Sequence, residues 1–210
     1  MSRHYDLIAW GYESLTELLH GRHRLQAVGL LNLRVGQSVL DVPCGTGANL
    51  PLLEDRVGPS GRVLASDFSA GMLARAQAKV DREAWRNTTL VQADARELTG
   101  AALGVESVDA VICMLGLTVI PDWERAFDRM WDLLAPGGRF VIMDLYLDGT
   151  PLSGAANRYY RLIAQADSRR RFWEPLGERV PDLVMHDHRW FGGVARIVAG
   201  TRPALWRPAD

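Results

Sequence analysis

The stretch "SVLDVPCGTGANL", residues 38–50, decides the fold. It opens with a short apolar run that stops at Pro43 and Gly45, which is typical of a parallel strand buried on both faces. A glycine-rich turn follows, and a helical pattern begins after it. A strand, a glycine turn and a helix in this order indicate an α/β sheet whose first turn approaches a ligand closely.

Four further strand-like runs follow, separated by helical patterns: residues 62–67, 88–94, 107–115 and 139–146. Helix-length crossovers between strands imply a parallel sheet with helices on both faces. Near the C-terminus, "LVMHDHRWF", the pair Gly192-Gly193 and "VARIVAG" predict an antiparallel hairpin with a two-residue glycine turn. The chain therefore predicts a doubly wound, mostly parallel α/β sheet that ends in an antiparallel hairpin.

Composition narrows the classes of protein. The net charge is −1, so nothing in the overall charge draws the chain to nucleic acid or to an anionic membrane. Cys44 and Cys113 lie too far apart to indicate a disulfide framework, which favours a reducing cytoplasm. The N-terminus has no apolar core of signal-peptide length, and the longest apolar run, 110–120, is too short to span a bilayer. We expect a soluble cytoplasmic protein.

The glycine loop argues against two nucleotide sites. A triphosphate-binding loop carries Gly-Lys-Ser/Thr, because the lysine neutralises phosphate and the hydroxyl holds magnesium. Here Gly47 is followed by Ala48-Asn49. A dinucleotide fingerprint needs a third glycine where this chain has Leu50. An oxidoreductase with a nicotinamide dinucleotide on the same fold is therefore a disfavoured alternative.

Three aspartates, Asp41, Asp67 and Asp94, come near the ends of the first three strands. The carboxyl ends of parallel strands line one edge of the sheet, where ligands of doubly wound folds bind. Carboxylates there repel a pyrophosphate but suit a ligand with hydroxyls, an amine and positive charge. S-adenosylmethionine combines a ribose, an adenine, a sulfonium and an ammonium group. The simpler interpretation is that each aspartate only caps the turn after it.

Five motifs in this order resemble those of the class I S-adenosylmethionine-dependent methyltransferases: "LDVPCGTG", "ASDFSAGML", "QADA", the strand before "GLTVIPD", and "LAPGGRFVIMDL". Within that class the chain is most similar to the quinone-biosynthesis type and to small bacterial phospholipid N-methyltransferases. The resemblance covers residues 5 to about 145 closely. It implies a Rossmann-like, seven-stranded fold and S-adenosylmethionine as cofactor, but it does not identify the acceptor. One departure disfavours a quinone acceptor, because quinone-type enzymes usually carry Phe-Gly-Leu-Arg-Asn where this chain has "LGLTV".

The resemblance also implies a set of cofactor-binding residues. They are Tyr5, Asp41, Gly45, Thr46, Gly47, Asp67, Phe68, Met72, Asp94, Ala95 and Met114. In this interpretation the glycine loop passes under the methionine part, and Asp67 holds the ribose. Met72 packs on the adenine, Asp94 accepts a hydrogen bond from the adenine amine, and the backbone of Met114 lies beside the sulfonium. Tyr5 belongs to an N-terminal segment that closes over the cofactor in such proteins, although an aromatic packing role is the alternative.

Four side chains are candidates for the acceptor side. Methyl transfer is an in-line displacement, so the protein mainly positions two reactants and needs a base only for a protonated acceptor. Tyr146 and Tyr159 follow the fifth strand and suit aromatic contact with a substrate amine, or ordinary packing. His186 and His188 share one strand face as a possible base, or as plain strand residues. No third ligand accompanies them in the sequence, so no metal site is predicted.

Two further features bear on the site. Cys44 has no base or cation near it in the sequence, so we interpret it as a small loop residue and not as a nucleophile. Cys113 is expected across the same crevice. Residues 168–176, "SRRRFWEPL", set three arginines beside Phe172 and Trp173, as a surface that touches anionic lipid head groups does. A solvated helix end with its aromatics in the core is the alternative.

These observations predict one methyltransferase domain. It transfers a methyl group from S-adenosylmethionine to a small molecule or to a phospholipid head group, with peripheral membrane contact in the second case. Transfer or cyclisation of the aminobutyrate arm is the alternative that keeps the cofactor. The expected parts of the single domain, residues 1–210, are a helical cover (1–35), a cofactor-binding core (36–146), a helical acceptor-side insertion (147–180, with a helix over 153–171) and the terminal hairpin (181–201).

Overall fold

One mixed sheet forms the centre of the molecule. The structure, a computed structural model of the chain, describes residues 20–147, Arg158, 166–190 and 193–204. The seven strands are β1 Ser38–Asp41, β2 Arg62–Asp67, β3 Thr88–Gln92, β4 Val108–Met114, β5 Leu134–Tyr146, β6 Val184–Trp190 and β7 Gly193–Thr201. Their order across the sheet is β3-β2-β1-β4-β5-β7-β6. Strands β1 to β5 pair in parallel, and β7 runs antiparallel to β5 and β6. The predicted Rossmann-like α/β sheet with a C-terminal antiparallel pair is confirmed.

Helices cover both faces of this sheet. They are α1 (helical residues 20–30), α2 Leu50–Val57, α3 Ala70–Glu83, α4 Gly100–Leu103, α5 Trp123–Leu133 and α6 Glu174–Gly177, with a 3-10 turn at Ala95–Glu97. One apolar cluster joins α1, α2 and α3 to the sheet, and a second joins α5 and α6 to its other face. Among the helices that the structure describes, none combines the length and apolar character needed to cross a membrane.

Helix α3 begins where the sequence predicts. The Oγ of Ser69 accepts a hydrogen bond from the backbone N–H of Met72 at 3.2 Å, which satisfies one of the donors that every helix start leaves open. The buried residues Met72, Ala76 and Val80 then recur on one face. The cap therefore sets the direction in which α3 leaves the carboxyl end of β2.

Two predicted boundaries are wrong in the described residues. The helix predicted over 153–171 does not reach its predicted end, because residues 166–171 form a turn and irregular backbone. Their backbone is bonded elsewhere: Asp167 N–H donates to the carbonyl of Thr118 at 2.7 Å, and Leu147 N–H donates to that of Ser168 at 2.8 Å. Apart from the helical Arg158, the earlier part of that prediction lies outside the described residues.

The second correction concerns the hairpin. Gly193 pairs with Trp190 and is the first residue of β7, so it does not belong to the turn predicted at Gly192-Gly193. The connection falls at residues 191–192, which lie outside the described part of the chain. The turn lies one residue earlier than predicted because the β6–β7 ladder continues as far as the pair Trp190 and Gly193.

We predict that any side chain at Gly116 destabilises the fold. A Cβ at this position would lie 2.3 Å from Cδ of Pro43 and 3.0 Å from Sγ of Cys113, where the ends of β1 and β4 meet. We expect Gly116→Ala to lower the free energy of unfolding by about 1–3 kcal/mol in urea denaturation, because the close-packed turn must open.

Gly29 provides the matched control. A Cβ there would meet no heavy atom within 4 Å, and the residue is helical. Gly29→Ala is expected to raise the free energy of unfolding by about 0.5–1 kcal/mol, since alanine favours the helix. Equal effects of the two substitutions would contradict the packing argument.

Candidate active site

A cavity of about 350 Å³ opens at the carboxyl edge of β1, β2 and β4. The turns that follow these strands supply its walls: the glycine loop (residues 44–49), the start of α3, and residues 115–121, which we call the wall loop. Most of the cofactor residues expected from the sequence line this cavity. They are Gly45, Thr46, Asp67, Phe68, Met72, Asp94, Ala95 and Met114.

Two expected cofactor residues, Gly47 and Asp41, do not line the cavity, and a third lies outside the described residues. Gly47 faces the helices, because a Cβ on it would lie 2.7 Å from Cδ1 of Leu50 and 3.1 Å from Cβ of Ala76. Its φ of +75° is also one that glycine adopts most readily. Asp41 is fully buried beneath the glycine loop, and Tyr5 lies outside the described residues. Gly47 therefore lets the loop approach α2 and α3, and Asp41 acts on the cavity from behind it.

Asp67 joins the two loops at the cavity floor. Its Oδ2 accepts a hydrogen bond from the backbone N–H of Gly45 at 2.8 Å, and its Oδ1 accepts one from Ser69 at 2.8 Å. Asp67 also lines the cavity, and a carboxylate can accept several hydrogen bonds at once. The side chain can therefore fix the loops and still accept hydrogen bonds from hydroxyl groups in the cavity.

Asp94 is held by an arginine that the sequence analysis did not identify. The guanidinium of Arg96 donates to both oxygens of Asp94, with Nη2 to Oδ2 at 2.5 Å and Nε to Oδ1 at 3.0 Å. These hydrogen bonds hold the pKa of Asp94 below its usual range, so the carboxyl stays ionised. Arg96 also lines the cavity. Any amine that binds Asp94 must share it with this guanidinium.

A buried polar chain runs behind the glycine loop. Arg24, on α1, donates through Nη1 to Oδ1 of Asn49 at 2.5 Å, and Nδ2 of Asn49 donates to Oδ1 of Asp41 at 2.8 Å. In the described part of the chain, the buried Oδ2 of Asp41 has no hydrogen-bond partner. Burial raises the pKa of Asp41 to about 7, although the bond from Asn49 and the charge of Arg24 oppose the shift. Arg24 and Asn49 both line the cavity, and neither was expected from the sequence.

This set of groups fits S-adenosylmethionine. The carboxylates of Asp67 and Asp94 line the cavity and suit hydroxyls and an amine. The unpartnered buried oxygen of Asp41, behind the glycine loop, favours a cationic ligand nearby. Arg24 provides a cation for an anionic carboxylate at the same end. The lining contains none of the lysine that a triphosphate loop requires. The donors and acceptors therefore match the parts of this cofactor.

The two cysteines are separated by the sheet. Cys44 lines the cavity, and burial raises the pKa of its thiol well above the usual range, so it stays protonated. The expectation that Cys113 borders the same crevice is wrong. Neighbouring strand residues face opposite sides, and Cys113 packs with α5 and α6 while Met114 reaches the cavity.

The acceptor-side candidates do not form one site. Tyr146 contacts the ring of Trp173 edge-on, with centroids 4.7 Å apart, and neither lines the cavity. His188 lies on the other sheet face, where Nε2 is 2.6 Å from Oε1 of Gln26 on α1. His186 shares that face, and neither histidine lines the cavity. Tyr159 lies outside the described residues. In the described ranges no three potential ligands converge as a metal site.

The arginine-rich segment does not display its aromatics. Phe172 is fully buried and Trp173 is buried. Arg170 turns inward, and its Nη1 donates to the carbonyls of Leu117 at 2.5 Å and Ile120 at 2.6 Å. The structure thus favours the alternative in which the aromatics belong to the core, and the segment braces the wall loop.

Comparisons with known proteins agree with this geometry. A family model described as "Methyltransferase domain" matches residues 39–138. A demethylmenaquinone methyltransferase of Listeria welshimeri is 31% identical over 164 residues, which cover 76% of this chain and 68% of the relative.

Solved structures share the fold. A Haloferax volcanii protein solved with the Trm112 methyltransferase activator superposes with a TM-score of 0.71 at 18% identity, over 95% of this chain and 97% of that one. Haemonchus contortus phosphoethanolamine N-methyltransferase 2, bound to phosphomonomethylethanolamine and S-adenosylhomocysteine, gives 0.68 at 18% identity, over 85% and 52%. At such identities the likeness shows the fold alone.

Asp41 predicts a pH dependence of cofactor affinity. Its pKa of about 7 means that the carboxyl is neutral below that pH and negative above it. A cationic ligand binds the ionised form better, so we expect the dissociation constant of S-adenosylmethionine to rise up to about tenfold between about pH 8 and about pH 6. Isothermal titration calorimetry measures this. Asp41→Asn should bind weakly and equally at both values, and a flat wild-type profile would refute the assignment.

The contribution of Asp41 to the stability of the cofactor-free protein should fall as the pH rises, whereas its contribution to cofactor affinity should increase. A raised pKa in the folded state means that the proton favours folding. The contribution of Asp41 is complete below its ordinary value of 3.8 and is lost as the pH rises through about 7. Asp144, whose burial raises its pKa to about 6, acts in the same sense. Burial lowers the pKa of His20 to about 4, which acts in the opposite sense, so the effect of Asp41 is measured as a difference. In urea denaturation, the unfolding free energy of the wild type minus that of Asp41→Asn should fall from about pH 5 to about pH 8.

Proposed function

The chain belongs to the S-adenosylmethionine-dependent methyltransferase family, of the quinone-biosynthesis type, and from that premise we propose that it methylates a small-molecule acceptor with an apolar body. S-adenosylmethionine supplies an electrophilic methyl group on a sulfonium when it is bound. The observation that carries the proposal is the apolar character of the wall loop, which continues the cofactor cavity beyond Met114.

The wall loop supports an apolar acceptor through the side chains that it presents. Four of its residues line the cavity, and none is ionisable: Leu115, Val119, Ile120 and Pro121. Its polar residue, Thr118, is buried and turned away to Asp144. Quinone-type enzymes usually carry Arg-Asn at positions 118–119. This chain therefore offers an apolar surface where those enzymes offer polar groups, which supports an acceptor of similar bulk with a different hydrogen-bonding pattern.

Both sides of the wall loop are fastened. From the sheet, Asp144 accepts the N–H of Thr118 at 3.0 Å and its Oγ1–H at 2.7 Å. From the opposite segment, Arg170 donates to two carbonyls of the loop. Asp144 also accepts the N–H of Leu145 and is buried, so it serves as a brace and not as a base. A rigid wall suits a reaction that depends on placing two reactants in line.

The roles of the cofactor residues follow from their partners. We assign Asp67 to the ribose hydroxyls and Asp94, shared with Arg96, to the adenine amine. Arg24 is assigned to the carboxylate of the methionine part, and the charge of Asp41, behind the glycine loop, is assigned to the attraction of its ammonium group. These residues bind and orient the cofactor, and the apolar side chains of the wall loop exclude water from the reacting atoms. Among the described lining residues no side chain stands at the wall loop to take a proton.

Two other proposals made from the sequence have unequal support. The proposal of a phospholipid head group as acceptor relied on interfacial aromatic side chains, and it is weakened because Phe172 and Trp173 are buried. A cytoplasmic location keeps its support, since Cys44 and Cys113 are both free thiols.

The acceptor class can be tested with purified protein and two labelled cofactors. Methyl-labelled or carboxyl-labelled S-adenosylmethionine is incubated with a short-chain demethylmenaquinol, phosphoethanolamine or phosphatidylethanolamine vesicles. We expect methyl label in the demethylmenaquinol, which is the apolar acceptor among the three probes, and in neither ethanolamine compound. Methyl label in either ethanolamine compound would overturn the proposal, and carboxyl label in a new product would indicate transfer of the aminobutyrate arm.

A pair of variants at Val119 makes the test specific. Val119→Asp places a charge in the apolar wall and should reduce transfer to the quinol by about 100-fold or more, because the unpaired charge must be desolvated. Its affinity for S-adenosylmethionine should change by less than about threefold, since none of the residues assigned above to the cofactor belongs to the wall loop. Val119→Ile keeps the apolar surface and serves as the control.

A further inference from the structure

One lysine stands out in the composition of the chain. Lysine and arginine together number 24, and Lys79 is the only lysine. It lies in the third turn of α3, half-buried, three residues after Ala76, so both side chains share one helix face. A sequence that uses arginine at every other cationic position places its single side-chain amine beside the glycine loop.

The amine contacts the loop at one atom. Nζ of Lys79 donates to the carbonyl oxygen of Gly47 at 3.3 Å, and the same oxygen accepts the N–H of Leu50 at 3.2 Å. One turn earlier, Ala76 packs closely on the same loop, since its Cβ would lie 3.1 Å from a Cβ on Gly47. Helix α3 thus holds the end of the glycine loop through a charge-assisted hydrogen bond and a packing contact.

Lysine suits this contact better than arginine. The acceptor is a single carbonyl oxygen, and an ammonium group is a compact point charge on a flexible stem. A guanidinium presents five donors in a planar fork that matches carboxylates and phosphates. The same loop is bound at its other end by Asp67, which accepts the N–H of Gly45.

We propose that Lys79 is a positioning residue for cofactor binding, and that removal of its charge, by substitution or by acylation of the amine, weakens the affinity for S-adenosylmethionine. Lys79 does not line the cavity, so it acts through Gly47. The inference concerns the cofactor alone and does not depend on which acceptor is methylated. Acylation by an acyl thioester or an acyl phosphate would convert the ammonium to a neutral amide and release the acyl carrier or phosphate with a proton.

The test relies on the burial of the two native thiols. Lys79→Cys adds a thiol, whereas Cys44 and Cys113 are buried and their pKa values are raised well above the usual range. Alkylation with 2-bromoethylamine rebuilds a lysine-like amine at position 79, and iodoacetamide gives a neutral side chain of similar bulk. Affinity for S-adenosylmethionine is measured by calorimetry, and thermal unfolding of the cofactor-free protein is followed in parallel.

We expect Lys79→Cys to weaken cofactor binding about fivefold to tenfold, the effect of one lost charge-assisted hydrogen bond at a half-buried site. Aminoethylation should restore the affinity to within about twofold, and carbamidomethylation should not. Arg82→Cys, at a position where 68% of the side chain is exposed on the same helix, is the matched control and should bind normally under either treatment. Wild-type affinity in Lys79→Cys, or equal affinities after the two alkylations, would overturn the proposal.

A second measurement covers the case in which the variant does not fold. Wild-type protein, already folded, is acetylated with an N-hydroxysuccinimide ester, and Lys79→Arg treated in the same way controls for the terminal amine. The proposal is supported if acetylation weakens cofactor binding in the wild type but not in Lys79→Arg. Unchanged binding in the acetylated wild type refutes it.

Discussion

The site depends on one carboxylate that binds two backbone amides. Asp67 accepts the N–H of Gly45 from the glycine loop and the N–H of Ser69 from the start of α3. Charge-assisted hydrogen bonds of this kind are strong and directional, so the end of β2 determines how the turn after β1 and the helix after β2 meet. The cap that Ser69 provides for α3, and the approach of α3 to Gly47, then follow. The cavity is the space that these turns enclose.

The electrostatics of the cavity are balanced by groups behind its surface. Asp41 is buried without full compensation, and the nearest support comes through Asn49 from Arg24 on α1. Asp94, in contrast, is paired with Arg96, whose hydrogen bonds keep its pKa below the usual range, so it stays ionised. The methionine end of the site therefore holds a carboxyl that titrates near neutrality, and the adenine end holds one that does not. A cationic cofactor makes use of that difference, because its charge lies at the end where the carboxyl is under-compensated.

The strands and most of the cavity lining could be predicted because their signals are local. An apolar run that ends in an aspartate, followed by glycines or by a serine cap, specifies β1, β2 and their turns without knowledge of the rest. The residues that were missed depend on contacts between distant segments. Arg24 reaches the site because α1 packs against the sheet, and Arg170 reaches the wall loop from about fifty residues further along the chain, within the segment 147–180. The helix predicted over 153–171 fails at its end for the same reason, since the backbone of Asp167 bonds to Thr118.

The most direct test of the account is a crystal structure of the protein with S-adenosylhomocysteine. The account predicts the nucleoside in the cavity at the carboxyl edge, with ribose hydroxyls on the carboxylate of Asp67 and the adenine amine at Asp94 beside Arg96. The amino-acid part should lie between the glycine loop and Arg24. Density for the ligand elsewhere, or a ribose that leaves Asp67 bonded only to Gly45 and Ser69, would contradict it.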